Sequence, residues 1–448
     1  MKWIETTVGE YCPFVYGKSL PQRNRENGNV PVYGSNGIVD YHKTPHVKGF
    51  GIIIGRKGSV GAVHLSKSAF WPIDTSFYVE KDSIEELYFT YYLLKSLGLE
   101  HMNSDSAVPG LNRDNAHALA IRIPENSDDR KLLGSWVAKF DEKVELNTQT
   151  NQTLEQIAQA IFKSWFVDFD PVKAKIKALA AGGSVDDAEL AAMRVISAKT
   201  IDELNSLKAT NPEVFTKLAQ TAALFPAAMQ DSELGEIPKG WGIVKTEQLA
   251  EKIAMGPFGS NIKVSTFVDN GVPIISGHHL KETLLTEGNH NFITTEHANK
   301  LKNSCVHSED IIFTHAGNIG QVSLIPENTT YYEYVISQRQ FYLRVDRERA
   351  SPYYLVFFFK STYGQHVLLS NASQVGVPSI ARPSSHLKNI ELIKPTFELM
   401  ERFENICKSL LNGVGAGRKE SLELAELRDT LLPKFLSGEI NLTSEVVV

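Results

Sequence analysis

The strongest constraint in this sequence is an internal repeat, because a repeat requires the fold to contain two similar units. Residues 52–63 read IIIGRKGSVGAV, and residues 311–322 read IIFTHAGNIGQV. Both copies have an apolar run, a short loop and two glycines in the same places. A chain of 448 residues is also long enough for two or three domains. We therefore expect two related domains rather than one globule.

Further matches follow in the same order along the chain. The aromatic segment 88–96 returns at 353–361, and VPGLNR at 108–113 returns as VPSIAR at 377–382. Around them, short β runs are bounded by Gly, Pro, Asn and Asp, and an aromatic-rich helix is followed by more strand. Each copy is therefore predicted to be a mixed α/β (α+β) domain.

The two predicted domains cover residues 1–128 and 236–397, and each is followed by a long helix. The first helix is predicted at 129–170, and the second, with a tail, at 398–448. Apolar residues at alternating spacings of four and three are typical of a coiled-coil seam. The seam residues that we single out are Leu133, Val137, Phe140, Leu154, Ile161 and Trp165 in the first helix and Phe403, Leu410, Leu424, Leu431 and Phe435 in the second. We expect the helices to pair antiparallel, with an internal pseudo-two-fold axis.

The middle of this helix pair is weak in the sequence. Asn147 and Asn151 occupy seam positions of the first helix, and Gly413, Gly415 and Gly417 lower the helix propensity of the second. We expect a break or a loop there.

An Ala-rich segment at 171–235 separates the first long helix from the second domain. Gly182 and Gly183 are followed by Ser184 and two acids, which is a helix-start signal. We expect two or three short helices, followed by an extended linker at 231–241.

The net charge of −6 gives no support for nucleic-acid binding. Residues 1–127 carry 13 basic and 13 acidic residues, and residues 236–397 carry 15 and 14. The acidic excess therefore lies in the helical segments, and the charge leaves groove binding by the two domains open.

Cysteine content and hydropathy favour a cytoplasmic protein. The three cysteines, Cys12, Cys305 and Cys407, form neither a disulfide framework nor a zinc pattern. No apolar run reaches the roughly 18 residues of a membrane span, and no signal peptide is evident. Histidines 278, 279 and 315 have no carboxylate or cysteine at ligand spacing, so no metal site is expected.

Several motifs together resemble one family. GKSLP at 17–21, PVYGSNG at 31–37, GIIIGRKG at 51–58 and WPIDT at 71–75 are similar to the target-recognition domain of type I restriction-modification specificity subunits. Two further segments resemble the entry to the second recognition domain of that family and the end of its second conserved helix; they are DSELGEIPKGW at 231–241 and LLPKFLSGEI at 431–440. The similarity extends over essentially the whole chain in the same order.

The resemblance implies a non-catalytic, DNA-reading subunit. Each recognition domain would read half of a split, asymmetric target in double-stranded DNA, and the helices would form the spacer and the methyltransferase dock. The implied partners are two adenine-methylating subunits and two ATP-driven translocase-nuclease subunits, with no membrane. Accordingly no cofactor is expected in this chain, and S-adenosylmethionine, ATP and Mg are expected on the partner subunits.

The best DNA-contacting candidates lie in the repeated glycine loops. Arg56, Lys57 and Ser59 occupy the first loop, and His315 and Asn318 the second. Glycines let the backbone approach a phosphate, and Arg56 has the fork geometry for guanine or phosphate. A plain hairpin turn is the alternative, which the repetition of the loop disfavours. A P-loop is excluded because no Gly-Lys-Ser/Thr with the upstream glycine of that motif precedes a helix.

The remaining candidates are polar side chains in other loops and turns. Gln and Asn suit adenine edges and Arg suits guanine, although solvated turns with the same residues are equally common. In the segment Gln338 to Gln340, strand alternation would allow only part of the trio to face DNA. The candidates are Lys18, Arg23, Arg25, Tyr33, Ser35, Asn36, Asn112 and Arg113 in the first domain and Ser276, His278, His279, Gln338, Arg339 and Arg382 in the second.

Two other functional hypotheses remain at this point. An enzyme, either a methyltransferase or a nuclease, would need motifs that are absent: the chain has no Pro-Pro and no GxGxxG that opens a strand-helix unit. A protein-interaction scaffold without DNA affinity shares the predicted helices and differs in its response to DNA.

Overall fold

A computed structural model describes residues 1–102, 110–373 and 376–440 of the chain, except for the side chain of residue 260. By its internal contacts the chain divides into two compact units. Unit 1 comprises Met1–Thr150 and the residues from Ala416 onward, and unit 2 comprises Asn151–Gly415. Residues 108 and 109 of the repeated VPGLNR segment lie outside the described residues.

Unit 1 is built on short strands that form small sheets. The strands are β1 (Trp3–Thr7), β2 (Val15–Tyr16), β3 (Val30–Gly34), β4 (Gly37–His42), β5 (Gly51–Gly55), β6 (Val63–Ser66), β7 (Trp71–Pro72), β8 (Ser76–Val79) and β9 (Ala120–Pro124). Strand β1 pairs with β9, a second sheet has the order β2-β8-β5-β6, and a third has the order β4-β3-β7. In the third sheet β3 and β7 run parallel. The other pairs are antiparallel.

The helices of unit 1 cover the apolar strand β5. They are α1 (Val8–Tyr11), α2 (Ile84–Ser96), α3 (Arg113–His117) and α4 (Ser127–Phe166), of which the last also extends into unit 2. Strand β5 is buried along its whole length, and Ile52 and Ile54 pack in one core with Leu87 and Leu94 of α2. The predicted aromatic helix is confirmed here, with Phe89 and Tyr92 turned into the core.

Unit 2 opens with a group of short helices. They are α5 (Asp170–Ala180), α6 (Val185–Ser197), α7 (Ile201–Thr210) and α8 (Pro212–Ala223). The sequence predicted two or three short helices in this segment, which is fully described, and the structure has four. Capping boxes at Ser184 and Thr200 start α6 and α7, and the Asn211 side chain caps α8. Each cap satisfies backbone N–H groups that would otherwise be unpaired, which lets short helices begin so close together.

The strands of unit 2 repeat those of unit 1 and add several more. They are β10 (Met229–Gln230), β11 (Ile237–Pro238), β12 (Gly242–Lys245), β13 (Ala250–Met255), β14 (Val272–Ile275), β15 (Asn291–Ile293), β16 (Cys305–Val306), β17 (Ile311–Thr314), β18 (Val322–Leu324), β19 (Tyr334–Ile336), β20 (Gln340–Val345), β21 (Ala372–Ser373), β22 (Ser379–Ile380) and β23 (Glu391–Lys394). The predicted extended linker at 231–241 is instead a small hairpin, since β10 pairs antiparallel with β11.

The remaining helices of unit 2 follow its strands. They are α9 (Thr295–Lys300), α10 (Pro352–Lys360), α11 (Thr362–Leu369), α12 (Pro383–Asn389) and α13 (Phe397–Ser437), the last of which continues into unit 1. The aromatic residues Phe357, Phe358 and Phe359 of α10 are buried in the main core, as expected from the sequence.

The sheet topology confirms the internal repeat. In unit 1, β1-β9, β2-β8-β5-β6 and β4-β3-β7 correspond to β12-β23, β13-β20-β17-β18 and β15-β14-β19 of unit 2. The parallel pair β3-β7 also has its counterpart in β14-β19. Strand β16 extends the last of these sheets in unit 2.

The long helices α4 and α13 pair antiparallel in each unit. In unit 1, Trp136 packs on Phe435 with ring centroids 5.0 Å apart, and Asp141 pairs with Arg428. In unit 2, Phe162 packs on Phe403 with ring centroids 5.6 Å apart. As the residue numbers of these contacts increase along α4, they decrease along α13, so the helices run antiparallel.

The expected break in the helix pair is wrong, because α4 and α13 are both continuous. Asn147, only 6% exposed, donates its side-chain amide to Glu420 Oε2 at 2.7 Å and lies 3.4 Å from Gly417 O. These contacts anchor the helix where its glycines weaken it. Tertiary contacts thus outweigh the poor helix propensity.

Candidate nucleic-acid interface

Two glycine loops with the same backbone conformation lie between paired strands. The first joins β5 to β6, and the second joins β17 to β18. The glycines have positive φ at both loop positions, 85° and 73° at Gly58 and Gly61 and 85° and 83° at Gly317 and Gly320. Other residues adopt this conformation at a cost, which explains why both glycines recur in the repeat.

Each glycine loop is tied to the loop that carries the second repeated motif. The N–H of Leu111 donates to Arg56 O at 2.9 Å in unit 1, and the N–H of Ile380 donates to His315 O at 2.8 Å in unit 2. These bonds bring Arg113 and Arg382, the arginines of that motif, to the same side as the glycine loops. The sequence predicted both loops, and the structure places them together in each unit.

In unit 1 two of the predicted arginines flank one tyrosine ring. The guanidinium carbons of Arg56 and Arg113 lie 5.1 and 4.9 Å from the ring centroid of Tyr16, whose side chain is 47% exposed. Cation–π contact of this kind holds guanidinium planes in position while leaving N–H donors free. Tyr16 was not among the predicted residues, because a two-residue strand gives no sequence signal.

In unit 2 five of the predicted residues line a single cleft of about 500 Å³, whereas His279, His315 and Arg382 are not part of its lining. Lys281 adds a cationic side chain that the sequence analysis did not select. The predicted residues that line this cleft are Ser276, His278, Asn318, Gln338 and Arg339. The cleft therefore offers amide, hydroxyl, imidazole and cationic groups, which are the groups that bind base edges and phosphates.

Exposure separates the predicted residues into three groups. Two are buried, namely Tyr33 and His279. The exposed residues are Lys18, Arg23, Asn36, Lys57, Asn112, His278, Asn318, Gln338, Arg339 and Arg382. The half-buried residues are Arg25, Ser35, Arg56, Ser59, Arg113, Ser276 and His315.

Four of the predicted residues make structural contacts within the protein. Tyr33 packs against Phe70 in a buried cluster. Arg25 forms an ion pair with Asp40 at 3.0 Å, with only 15% of its own side chain exposed. The Asn112 side chain accepts hydrogen bonds from the first turn of α3. Tyr33 is only 8% exposed, which argues against a direct contact with DNA.

His279 is the fourth of these residues, and its burial contradicts a direct contact with DNA. Its Nδ1 accepts from the N–H of Ser276 at 2.9 Å, so Nε2 carries the proton and donates to Gly288 O at 2.9 Å. Burial, together with the charge of His290, lowers the pKa of His279 to about 4. The ring is therefore neutral and supports the turn that carries the exposed His278.

The expected strand alternation across residues 338 to 340 is wrong. Strand β20 begins at Gln340, and the two residues before it form a turn in which both side chains are exposed. Gln340 is buried, and its Oε1 accepts from Ser337 N at 2.9 Å. Gln338 and Arg339 are therefore both exposed at the cleft, whereas Gln340, which also borders the cleft, is buried. Only part of the trio is exposed, as expected from the sequence.

Arg382 has an unusual backbone conformation for a residue of its type. Its φ is +44°, and it stands immediately before α12. Non-glycine residues in this region carry a strain cost and are concentrated at functional sites. The exposed position of Arg382 beside the second glycine loop is consistent with such a site.

The helix seam residues predicted for docking are largely internal. Leu133, Val137 and Phe435 are buried in the core of unit 1, and Trp165 and Phe403 in that of unit 2. The others are half-buried, namely Phe140, Leu154, Ile161, Leu410, Leu424 and Leu431. The buried side chains hold the helices together and are not accessible to a partner.

Among the described residues, no group of three or more His, Cys, Asp or Glu side chains is placed to hold a metal ion. Cys12, Cys305 and Cys407 are free and buried. None of the described helices is long and apolar enough to cross a membrane.

Comparison with known proteins gives consistent matches. A family model for the type I restriction modification DNA specificity domain matches residues 1–156. The type I restriction enzyme HindI specificity subunit of Haemophilus influenzae is 32% identical over 338 residues, 74% of this chain and 71% of that protein. The MjaIX specificity subunit of Methanocaldococcus jannaschii is 20% identical over 401 residues, 87% of this chain and 77% of that protein.

A solved structure has the same fold. The crystal structure of a type I restriction-modification system S subunit from M. genitalium matches 97% of this chain and 96% of its own, with a TM-score of 0.55 and 14% identity. At this identity the match concerns the fold alone.

Proposed function

The chain belongs to the family of type I restriction-modification specificity subunits, and we propose that its two domains each read one half of a split, asymmetric DNA target. Membership makes it a non-catalytic subunit that serves DNA specificity. The division of the target into two halves and the partners named below are parts of the proposal.

One observation carries the proposal: the same loop arrangement occurs twice with different side chains. Arg56, Lys57 and Ser59 in unit 1 occupy the places of His315, Ala316 and Asn318 in unit 2. A common backbone gives both domains the same approach to a groove, whereas unlike side chains give them unlike base preferences. Such a pair suits an asymmetric target in two parts.

The long helices provide the second part of the proposal. We assign them the spacing between the two half-sites and the docking of two methyltransferase subunits, to which two restriction and translocation subunits bind. Because the buried seam side chains are not accessible, we assign docking to side chains on the outer faces of the helices. Examples are Leu146, Leu422 and Leu427, which are 55%, 63% and 47% exposed. Exposed apolar side chains on a helix favour a protein partner. S-adenosylmethionine, ATP and Mg belong to those partner subunits.

Methylation mapping tests this proposal directly. The chain is co-expressed with its cognate methyltransferase subunit, and modified adenines are located across the host DNA. We expect one split motif with a fixed unread gap, and exchange of residues 1–127 for those of a relative should change one half of it only. Methylation that does not depend on this chain would refute the role in DNA specificity.

A salt titration separates DNA reading from a scaffold role. Phosphate contacts release counterions, so the affinity for duplex DNA should fall steeply as salt rises. A scaffold without DNA affinity would show no such binding at any salt concentration, even when the methyltransferase subunit is bound.

A further inference from the structure

Strand register shows which residues of the two domains are equivalent. In unit 1, Ile54 pairs with Phe77 and Gly55 with Ser76; in unit 2, Phe313 pairs with Phe341 and Thr314 with Gln340. Ser76 and Gln340 therefore hold the same place at the start of β8 and β20. The two residues before each of them, Asp74-Thr75 and Gln338-Arg339, are equivalent as well.

Hydrogen bonds confirm this equivalence atom by atom. The N–H of Arg56 donates to Thr75 O at 2.9 Å, and the N–H of His315 donates to Arg339 O at 2.9 Å. The side chains of Arg56 and His315 contact the preceding carbonyl of each turn. Arg56 Nη1 lies 3.0 Å from Asp74 O, and His315 Nε2 lies 3.1 Å from Gln338 O. Each glycine loop thus clamps a turn through its first residue.

A close backbone approach that occurs in both domains fixes the other side of the turn. A Cβ added to Gly17 would lie 2.1 Å from Ile73 O, and one added to Gly256 would lie 2.0 Å from Ser337 O. The N–H groups of these glycines also donate to Ser76 O at 3.0 Å and to Gln340 O at 2.8 Å. The backbone of each turn is therefore held from both sides.

We propose that this clamped turn is the specificity-determining turn of each domain, with Asp74 and Thr75 serving in the first domain and Gln338 and Arg339 in the second. The inference rests on the proposed function and assigns base choice to particular side chains. A rigid backbone whose side chains differ between the two domains is suited to that task, because the backbone sets the position and the side chains set the preference. Asp74, Gln338 and Arg339 are exposed, and Thr75 is half-buried.

The chemistry of the two turns differs. The Asp74 side chain is exposed, and no ion pair or hydrogen bond joins its carboxylate to any other described residue. A carboxylate only accepts hydrogen bonds, so it selects the amino group of cytosine N4 in the major groove. Gln338 and Arg339 carry the side chains that pair with adenine and guanine edges. We therefore assign a cytosine contact to Asp74 and purine contacts to the second turn.

The test uses the complex with its methyltransferase subunit and maps the methylated motif of each variant. Asp74→Asn keeps the size of the side chain and leaves the backbone bond to Arg56 in place, but it presents a donor beside the acceptor. We expect roughly a tenfold or greater shift in preference from cytosine towards adenine at one position of one half-site. The other half-site should stay unchanged.

Reciprocal and control variants complete the experiment. Arg339→Thr should relax a guanine position in the other half-site only, and Glu80→Gln, an exposed change at the far end of β8, should leave the motif unaltered. A wild-type motif that persists in both Asp74→Asn and Arg339→Thr overturns the inference. Loss of methylation at every site, with an unchanged melting temperature, also overturns it by assigning the turn to overall binding.

The two levels of the proposal fail in different ways. If the wild-type chain directs no split motif, the proposed function fails, and this inference fails with it. If the wild-type motif is split and the turn variants leave it intact, the proposed function stands and only this inference is rejected.

Discussion

Asn147 donates its side-chain amide to Oε2 of Glu420 at 2.7 Å, which joins α4 to α13 within unit 1. Lys143 lies 3.2 Å from the same carboxylate oxygen. A polar contact therefore stands at a seam position where an apolar residue is usual. In paired helices such a contact fixes the register of one helix against the other.

Replacing Asn147 with alanine should reduce stability modestly. The variant loses a hydrogen bond to a partly exposed carboxylate, so we expect the free energy of unfolding to fall by about 1–2 kcal/mol. Urea unfolding followed by circular dichroism measures the change. Asn151→Ala is the matched control one helical turn along the seam, where no side-chain hydrogen bond to another described residue is found. Equal losses in both variants would contradict a special role for Asn147.

Replacing Phe403 with alanine should be far more damaging. The ring is fully buried and packs on Phe162, Trp165 and Phe357. A cavity of this kind costs about 3–5 kcal/mol. Tryptophan fluorescence during urea unfolding reports on both units, because Trp165 and Trp241 lie in unit 2 and Trp3, Trp71 and Trp136 lie in unit 1. Leu422→Ala, at a side chain that is 63% exposed, should change stability little, and a comparable loss there would count against the packing argument.

Replacing Lys57 with alanine should weaken DNA binding through a phosphate contact. Lys57 is exposed on the first glycine loop. Loss of one such contact should reduce the slope of log affinity against log salt by about 0.9. Fluorescence anisotropy with a labelled duplex at several salt concentrations gives this slope. Lys199→Ala, at an exposed position between α6 and α7, serves as the control, and an unaltered slope in Lys57→Ala would remove Lys57 from the interface.

Acid should destabilise the protein in part through His279. Its pKa is about 4 in the folded state because burial, with the charge of His290, disfavours the charged ring. In the unfolded chain the pKa is about 6.5. Between these values the unfolded state binds more protons, so stability falls as the pH drops from about 6.5 towards 4.

The His279→Asn variant lacks this proton uptake, so its free energy of unfolding should decline less between pH 7 and pH 4. Urea unfolding at pH 7, 5.5 and 4 measures the difference from the wild type. His278→Asn changes the neighbouring exposed ring and should follow the wild-type pH dependence. If both variants decline as steeply as the wild type, His279 is not the group responsible.

Local pattern was sufficient for the broad organisation of this protein. The glycine loops at Gly58 and Gly317, the aromatic helices α2 and α10 and the spacing of the seam residues predicted two related domains and two long helices. Such features depend on residues close together in the chain, and for this reason periodicity and turn chemistry reveal them.

Contacts between distant segments decided the rest. α13 is continuous through its glycines, and its contact there with Asn147 joins residues some 270 positions apart in sequence. Asp74 and Thr75 lie in the WPIDT motif at 71–75, but only strand register identified them as the counterparts of Gln338 and Arg339.

The sequence by itself determined the repeat, the order of its elements and the family, whereas tertiary structure decided which side chains remain accessible to DNA. His279 and His278 are adjacent in the sequence, yet one is buried and the other is exposed. The physical reason is that burial depends on which distant segments pack against a residue, and the residue type, here histidine at both positions, does not by itself decide that packing.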